Sequence, residues 1–389
     1  MLSYWETQSL LNYDYIIIGS GIVGLSTAIS LKEENDKHRV VVMERDILPT
    51  GASTKNAGFA CIGSLTEILD DIKTMGKETS VELVKTRLQG LKLLRERLGD
   101  ANIGYKENGS YEVISDREIH ALDHLKEVND LLRPIFNGKD AFTLCPHELL
   151  NQTGFNENYV RHLIQNNFEG EINTGKMMSS LISHANRMGV EILSNCKVEK
   201  FEDLGGEKGA QVSVFNQTLG HDVTFRCKKL AICTNAFTGS LIPNIDVIPG
   251  RGQVVVTEPI PNLKFKGIYH FDEGYYYFRV IDDRILFGGG RNLDFEKEKT
   301  SQFQFNQKIQ DKLLYYLSNL ILGVKQEDIK IAQRWVGIMA FGKDKKPIIE
   351  YHSPNIVLGV RMGGMGVAIG SLVGQKVASL CLINNRPSL

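Results

Sequence analysis

The sequence predicts an α/β fold, on three observations. Near its start, Asp14 to Asp46 reads as a buried strand, a glycine turn, a helix and a second strand. Further on, Glu169 to Val198 repeats a helix-and-strand pattern, and Lys229 to Cys233 is another short apolar strand. Between them and the C-terminus, an alternating aromatic run from Gly274 to Gly288 reads as an antiparallel hairpin, so a second sheet is expected beside the parallel one.

At 389 residues the chain has room for two or three domains, or two with one interrupting the other. It is 42% apolar and 23% charged, with a formal net charge of −1, so no strong field points to nucleic acid or an anionic membrane, and neither is expected as a partner. The six cysteines form no CxxC pair and read as buried thiols of a reducing compartment. The nine histidines show no HxxxH or similar spacing, so no metal site is expected. MLSYWETQSLLNYDY lacks a basic region followed by an apolar one, hence no secretory signal. Ile356 to Ile383 is long enough to span a bilayer, but Arg361, Gln375 and Lys376 interrupt it and its glycines cluster at one end; a loop leading into a buried helix is the better reading. The expected location is cytoplasmic. No internal repeat or low-complexity stretch occurs.

The first unit carries the clearest chemistry. Tyr15 to Ile18 is the strand, Gly19-Ser20-Gly21-Ile22-Val23-Gly24 the turn, and a helix of small and apolar residues follows to about Leu31. Gly19 permits the tight turn, Gly21 lets the backbone approach a pyrophosphate, and Gly24 lets helix and strand pack closely. The helix N-terminus adds amide donors and a positive dipole. Arg39 to Met43 is the second strand; it ends on Glu44 and Arg45, and Glu44 stands about 20 residues after Gly24, where a carboxylate can accept from an adenosine ribose. The loop that follows, with Ala52, Ser53, Thr54, Asn56, Ala57, Gly58 and Phe59, is rich in small donors and takes the place of another strand–helix alternation.

GSGIVG…MERD together with GASTKNAGF resembles the D-amino acid oxidase family of FAD-dependent oxidoreductases, which includes glycine oxidase, sarcosine oxidase and D-amino acid dehydrogenase. Later motifs fall in the family's order over nearly the whole chain. The resemblance implies FAD as cofactor, held by Gly19 to Gly24, Glu44 with Arg45, and the loop from Ala52 to Phe59. It places the backbone of Val198 at the adenine, and Thr234 and Asn235 beside the pyrophosphate. Asn235 stands where the family has glycine. The family's final strand, GGMG-type turn and long helix correspond to Ile356 onward, so Arg361, Gly363, Gly364, Met365, Gly366 and Val367 are expected at the pyrimidine edge of the flavin, with the helix dipole favouring negative charge there. Gly337 in Arg334-Trp335-Val336-Gly337 belongs to the family's tryptophan–glycine segment. That segment lacks the cysteine by which sarcosine oxidases attach their flavin, so the FAD is expected to be non-covalent.

The implied architecture is a discontinuous FAD-binding Rossmann-like domain of the glutathione-reductase type, formed by residues 1–84, 152–245 and 330–389. An α+β antiparallel-sheet substrate domain, 85–151 and 246–329, is inserted into it. Helical patterns over Ser64–Leu98 and Arg117–Phe136 link the two, and Pro249-Gly250-Arg251-Gly252-Gln253 marks a crossing into the cap.

Flavin amine oxidation asks the protein for positioning and electrostatics more than for acid–base groups. The catalytic candidates are therefore anchors. Tyr276 falls where a family tyrosine reaches the substrate carboxylate, although alternation lets either Tyr276 with Phe278, or Tyr275 with Tyr277 and Arg279, face the flavin. Relatives carry a carboxylate-binding arginine shortly after the tryptophan–glycine pair; Met339 stands there in this chain. Arg361, Arg291, Arg279 and Lys55 are the cations that can replace it, with Arg361 foremost, unless the substrate lacks a carboxylate and resembles a polyamine derivative. The expected reaction is oxidation of a small amine or amino acid at its C–N bond, by hydride transfer to flavin N5 to give an imine. Oxygen or another acceptor then takes the electrons. The alternatives are oxidation of a hydroxy acid or glycerol-phosphate-like alcohol, and a flavin module of a modification enzyme. The alcohol reading needs a histidine base near the flavin, and no histidine lies in the flavin-facing motifs. The sequence gives no oligomeric state.

Overall fold

The computed structural model describes residues 1–383. Its first strand, Asn12–Ile18, is buried from Tyr15 onward because both of its edges are taken. It runs parallel to His221–Ile232 on one side and to Val40–Met43 on the other. Ile356–Val360 extends the parallel pairing beyond His221–Ile232, and Glu191–Leu193 extends it beyond Val40–Met43. Ile348–Ser353 closes one edge antiparallel, and Ala210–Asn216 with Val198–Asp203 forms an antiparallel branch from His221–Ile232, giving eight strands.

Helix Ile22–Glu34 packs on this sheet, and a Cβ on Gly24 would lie 1.9 Å from the carbonyl oxygen of Gly19; only glycine lets turn and helix meet so closely. The last helix, Gly366–Leu382, lies against Ile22–Glu34. Gly374 makes that contact possible, since a Cβ there would meet Val23 O at 2.7 Å and Ser26 Cβ at 2.6 Å. The predicted helical stretch Ser64–Leu98 is two helices, Leu65–Met75 and Lys77–Leu98, broken at Gly76 with φ +83°. Arg117–Phe136 is one short α-helix, Leu125–Leu132, between two 3₁₀ turns.

The second sheet also has eight strands, in the spatial order Ile331–Phe341, Ile248–Thr257, Arg284–Gly289, Tyr276–Ile281, Ile268–Phe271, Ser110–Ile114, His162–Asn166 and Phe142–Leu144. All neighbours are antiparallel except Ile268–Phe271 with Ser110–Ile114. The hairpin turn is made by Asp282 and Asp283, both at positive φ, as a two-residue turn between twisted strands requires. One face of this sheet buries an aromatic cluster that includes Phe271, Tyr276, Phe278 and Phe287.

The sheets divide the chain differently from the boundaries expected above. Ile331–Phe341, assigned to the first domain from residue 330, pairs along its whole length with Ile248–Thr257. His162–Asn166, assigned there from residue 152, pairs with Ser110–Ile114. Conversely, Lys77–Leu98 was split at residue 85 towards the cap, yet Gly90 sits against the backbone of Ala368 in the closing helix, where a Cβ would lie 2.1 Å from Ala368 O. No helix among the described residues is long and apolar enough to cross a membrane.

Candidate active site

A cavity of about 950 Å³ runs between the ends of the parallel strands and the open face of the second sheet. Its first wall is the glycine turn. Gly19 takes φ +104°, and the helix beginning at Ile22 has Gly21 as its N-cap with no side chain capping it. The first-turn amides therefore open on the cavity, except that Ile22 N–H donates to Ser53 Oγ at 3.0 Å. Glu44 is 7% exposed; its Oε2 accepts from Ser20 N–H (3.1 Å) and Ser20 Oγ (2.6 Å), and its Oε1 from Asp46 N–H (3.2 Å). That fixes the carboxylate at the end of the second strand, as a hydroxyl-binding group must be fixed. Arg45 lies with its guanidinium 3.7 Å over the Phe237 ring, and Val198 also lines the cavity.

The far wall comes from the other end of the chain. Strand Ile356–Val360 ends on Arg361, a non-glycine residue at φ +68°. Asn235 sits opposite at φ +46°, which asparagine tolerates, and its Oδ1 accepts from Arg361 N–H (3.1 Å) and Met362 N–H (3.2 Å). Thr234 lines the cavity beside it. The turn Gly363-Gly364-Met365 then delivers helix Gly366–Leu382, whose N-cap, Met365, also lacks a side-chain cap. Gly366 and Val367 line the cavity. Two uncapped helix N-termini thus face one cavity, a donor set suited to an anionic, electron-rich dinucleotide.

The loop after Glu44 joins the walls. Ala52, Ser53, Asn56, Ala57 and Phe59 line the cavity, whereas Thr54 and Gly58 do not. Thr54 Oγ1 donates to Pro49 O (2.7 Å), and Gly58 is pressed against Ile172 O, so both shape the loop rather than face a ligand. Gly24 likewise acts inside the helix packing. Trp335 Nε1 donates to Lys55 O at 2.9 Å, and Gly337 leaves room for Lys55 beneath the strand.

The second sheet presents the remaining wall, and here three expected anchors are displaced. Tyr276 points to the other face: it is 1% exposed, stacks on Phe271 with ring centroids 5.1 Å apart, and leaves its hydroxyl without a partner. Strand parity puts Tyr275 and Tyr277 on the cavity instead. Arg279 shares their parity but reaches past the cavity, donating to Ile172 O (2.6 Å) and Gly58 O (3.0 Å) and pairing with Glu171 at 3.4 Å. It ties the loop to the sheet and does not line the cavity. Arg361 borders the cavity with its guanidinium consumed: Nε donates to Lys346 O (2.9 Å), Nη2 to Asp344 (2.6 Å), and Nη1 pairs with Asp246. It is a clamp for the loop that carries Asp344. Of the four candidate cations, Arg291 and Lys55 line the cavity without an ion pair to a described residue, and Arg291 is the one guanidinium among them that is unpaired.

His270 was missed altogether. It is buried, lines the cavity beside Tyr277, and meets Phe59 edge-on at 5.1 Å. Its Nε2 has no hydrogen bond and lies 3.9 Å from Glu169 Oε2. Burial pushes its pKa down to about 4, so the ring is neutral. Burial pushes Glu169 up to about 7, although Ile62 N–H (2.6 Å), Gly63 N–H (2.9 Å) and Ser110 Oγ (2.5 Å) donate to it. The available signal was the short FDEG turn, which pairs the strand of His270 with that of Tyr277 and gives both one parity. Met339, Tyr277 and Phe341 share a further device. Each lies over a glycine of a neighbouring strand, and a Cβ on Gly252, Gly288 or Gly250 would approach them to 2.9, 2.7 and 2.4 Å respectively.

The family model for FAD dependent oxidoreductases matches residues 14–380. Gamma-glutamylputrescine oxidoreductase of Escherichia coli K12 is 24% identical over 386 residues, covering 94% of this chain and 83% of that protein. Mitochondrial L-2-hydroxyglutarate dehydrogenase of Bos taurus is 25% identical over 322 residues, covering 76% of this chain and 65% of that protein. Among solved structures, glycine oxidase from Geobacillus kaustophilus superposes with a TM-score of 0.74 at 20% identity, over 95% of each chain, and thus shares the fold. The chain belongs to the FAD dependent oxidoreductase family, is an enzyme, and has FAD as its cofactor.

Proposed function

We propose that this FAD-dependent oxidoreductase oxidises a small amine or amino acid at the carbon beside nitrogen, giving an imine that water hydrolyses. In this reading the parallel-sheet part holds the FAD without a covalent bond. Gly19, Gly21, Ile22 and Val23 would cradle the pyrophosphate, Glu44 would take the ribose, and Gly363 to Val367 would hold the ring. The antiparallel sheet presents the substrate. Bound FAD supplies the two-electron acceptor. The residues do the rest: Tyr275, Tyr277 and Met339 position the substrate against the ring's side of the cavity, and Phe59 with the sheet keeps water out.

The observation that carries amine over alcohol is the placement of His270: its Nε2 is buried and turned to Glu169 at 3.9 Å, and burial holds the pKa of the ring down, so it is poorly placed to take a hydroxyl proton from a substrate. Sequence similarity to gamma-glutamylputrescine oxidoreductase and to glycine oxidase supports the same class.

A second reading, oxidation of a hydroxy acid, is favoured by the nearness of His270 to Glu169 at 3.9 Å and by the similarity to L-2-hydroxyglutarate dehydrogenase. There the pair would together collect the hydroxyl proton, with Glu169 as its final holder. Anaerobic mixing of the yellow holoprotein with amines, amino acids and 2-hydroxy acids separates the two. Bleaching by amines or amino acids is expected; bleaching by hydroxy acids alone would establish the second reading.

A further inference from the structure

Lys55 and Lys343 line the cavity without an ion pair to any described residue, as Arg291 does, but only a guanidinium offers a planar two-bond fork, and the other arginines of the lining are already held by an acid of the protein. Arg361 is held by Asp246 and Asp344. Lys345 is held by Asp70 and Asp71, and Arg87 by Asp71 and the carbonyl of Ile62. The guanidinium of Arg291 has neither a hydrogen bond nor an ion pair to any described residue. Glu298, the acid whose charge acts on Arg291, is fully buried and already receives Arg251 at 2.7 and 2.8 Å, Asn306 at 2.9 Å and Gln253 at 3.2 Å.

What does hold Arg291 is aromatic. Its guanidinium carbon sits 3.8 Å from the centroid of the Phe341 ring and 4.8 Å from that of Phe295. Contacts of this kind engage the flat face of the group and leave the N–H edge free. The backbone makes room for the arrangement: a Cβ on Gly250 would strike the Phe341 ring at 2.4 Å and approach Arg291 Nη1 to 3.4 Å. Arg291 follows Gly290, which at φ +78° turns the chain out of strand Arg284–Gly289. A guanidinium fixed in direction, partly stripped of water and lacking an anion inside a substrate cavity is an incomplete pair.

We propose that Arg291 is the anion anchor of this site and that the substrate is an amine bearing a carboxylate, which takes the N–H edge of Arg291 in a two-bond fork. This rests on the amine reading above and narrows it: simple amines and polyamines without a carboxylate become poor substrates. The Phe341 and Phe295 rings act as positioning residues, keeping the fork aimed into the cavity.

The test uses the oxidised holoprotein and two measurements. Acetate, succinate and benzoate are titrated into it, and binding is read from perturbation of its visible absorbance and by calorimetry. In parallel, flavin bleaching is compared for amino acids and their decarboxylated amines. The wild type is expected to bind at least one carboxylate and to be reduced at least 10-fold more efficiently by the amino acid of a matched pair. Arg291→Met is expected to weaken carboxylate binding about 10- to 100-fold, raising KM far more than it lowers kcat, with Arg291→Lys in between. Carboxylate binding by Arg291→Met equal to wild type would overturn the proposal. So would equal reduction of the wild type by the decarboxylated amine, a comparison that needs no variant to fold. If no amine of any kind bleaches the wild type while carboxylates still bind through Arg291, the amine reading fails and the anion anchor stands.

Discussion

The two sheets meet the same cavity with different materials. The parallel sheet meets it with backbone: glycine turns, two uncapped helix N-termini and one fixed carboxylate, while the strands themselves are buried on both faces. The antiparallel sheet meets it with side chains, since one face packs a core and the other is left open to Tyr277, Met339 and His270. Backbone donors serve any ligand with a pyrophosphate, so that half commits to a cofactor. A single sheet face can be rewritten residue by residue, so in the function proposed above that half is where a substrate is chosen.

The contrast can be broken most severely on the backbone side. Gly24→Val places a branched side chain where even a Cβ would be 1.9 Å from Gly19 O. The expected outcome is no soluble yellow protein, or apoprotein that takes up FAD at least 100-fold more weakly; purification of normal FAD content would mean the turn is not as close as described.

Arg361→Met is the next largest. It keeps the side chain's bulk but strands Asp246 and Asp344, and is expected to cost about 2 kcal/mol in thermal unfolding and to weaken FAD retention. Flavin reduction in the protein that keeps its FAD should stay within about 3-fold of wild type. Reduction slowed 100-fold at unchanged Tm would instead make Arg361 a substrate anchor. The smallest effect sharpens the side-chain half. Tyr276→Phe removes a buried hydroxyl that has no partner, so stability should hold or rise by up to about 1 kcal/mol. Tyr277→Phe, one residue on, should leave stability alone and lower the rate of flavin reduction. The reverse pattern would turn the strand over.

These differences explain what could be read from residues alone. The turn at Gly19 to Gly24, the place of Glu44 and the turn at Gly363 were legible because each position demands a particular backbone, and the residue type reveals it. Which of Tyr276 and Tyr277 faces the cavity was not, because Tyr275 to Arg279 has aromatic residues on both faces and its register depends on pairing with His270 and Gly288. Arg361 misled for a related reason. Its neighbours fix where it stands, but Asp246 and Asp344, which consume its charge, are distant in sequence and ordinary in appearance. His270 lies in no motif at all; only the pairing of its strand brings it to the cavity.

The contact between helices Ile22–Glu34 and Gly366–Leu382 has a consequence for how the enzyme is made. The cradle needs strand Ile356–Val360 beside His221–Ile232 and helix Gly366–Leu382 against Ile22–Glu34, so it exists only once segments far apart in sequence have met. The glycine turn by itself is an incomplete site. Tight FAD binding thus reports completed long-range pairing, and FAD in turn stabilises the folded state that those pairings build.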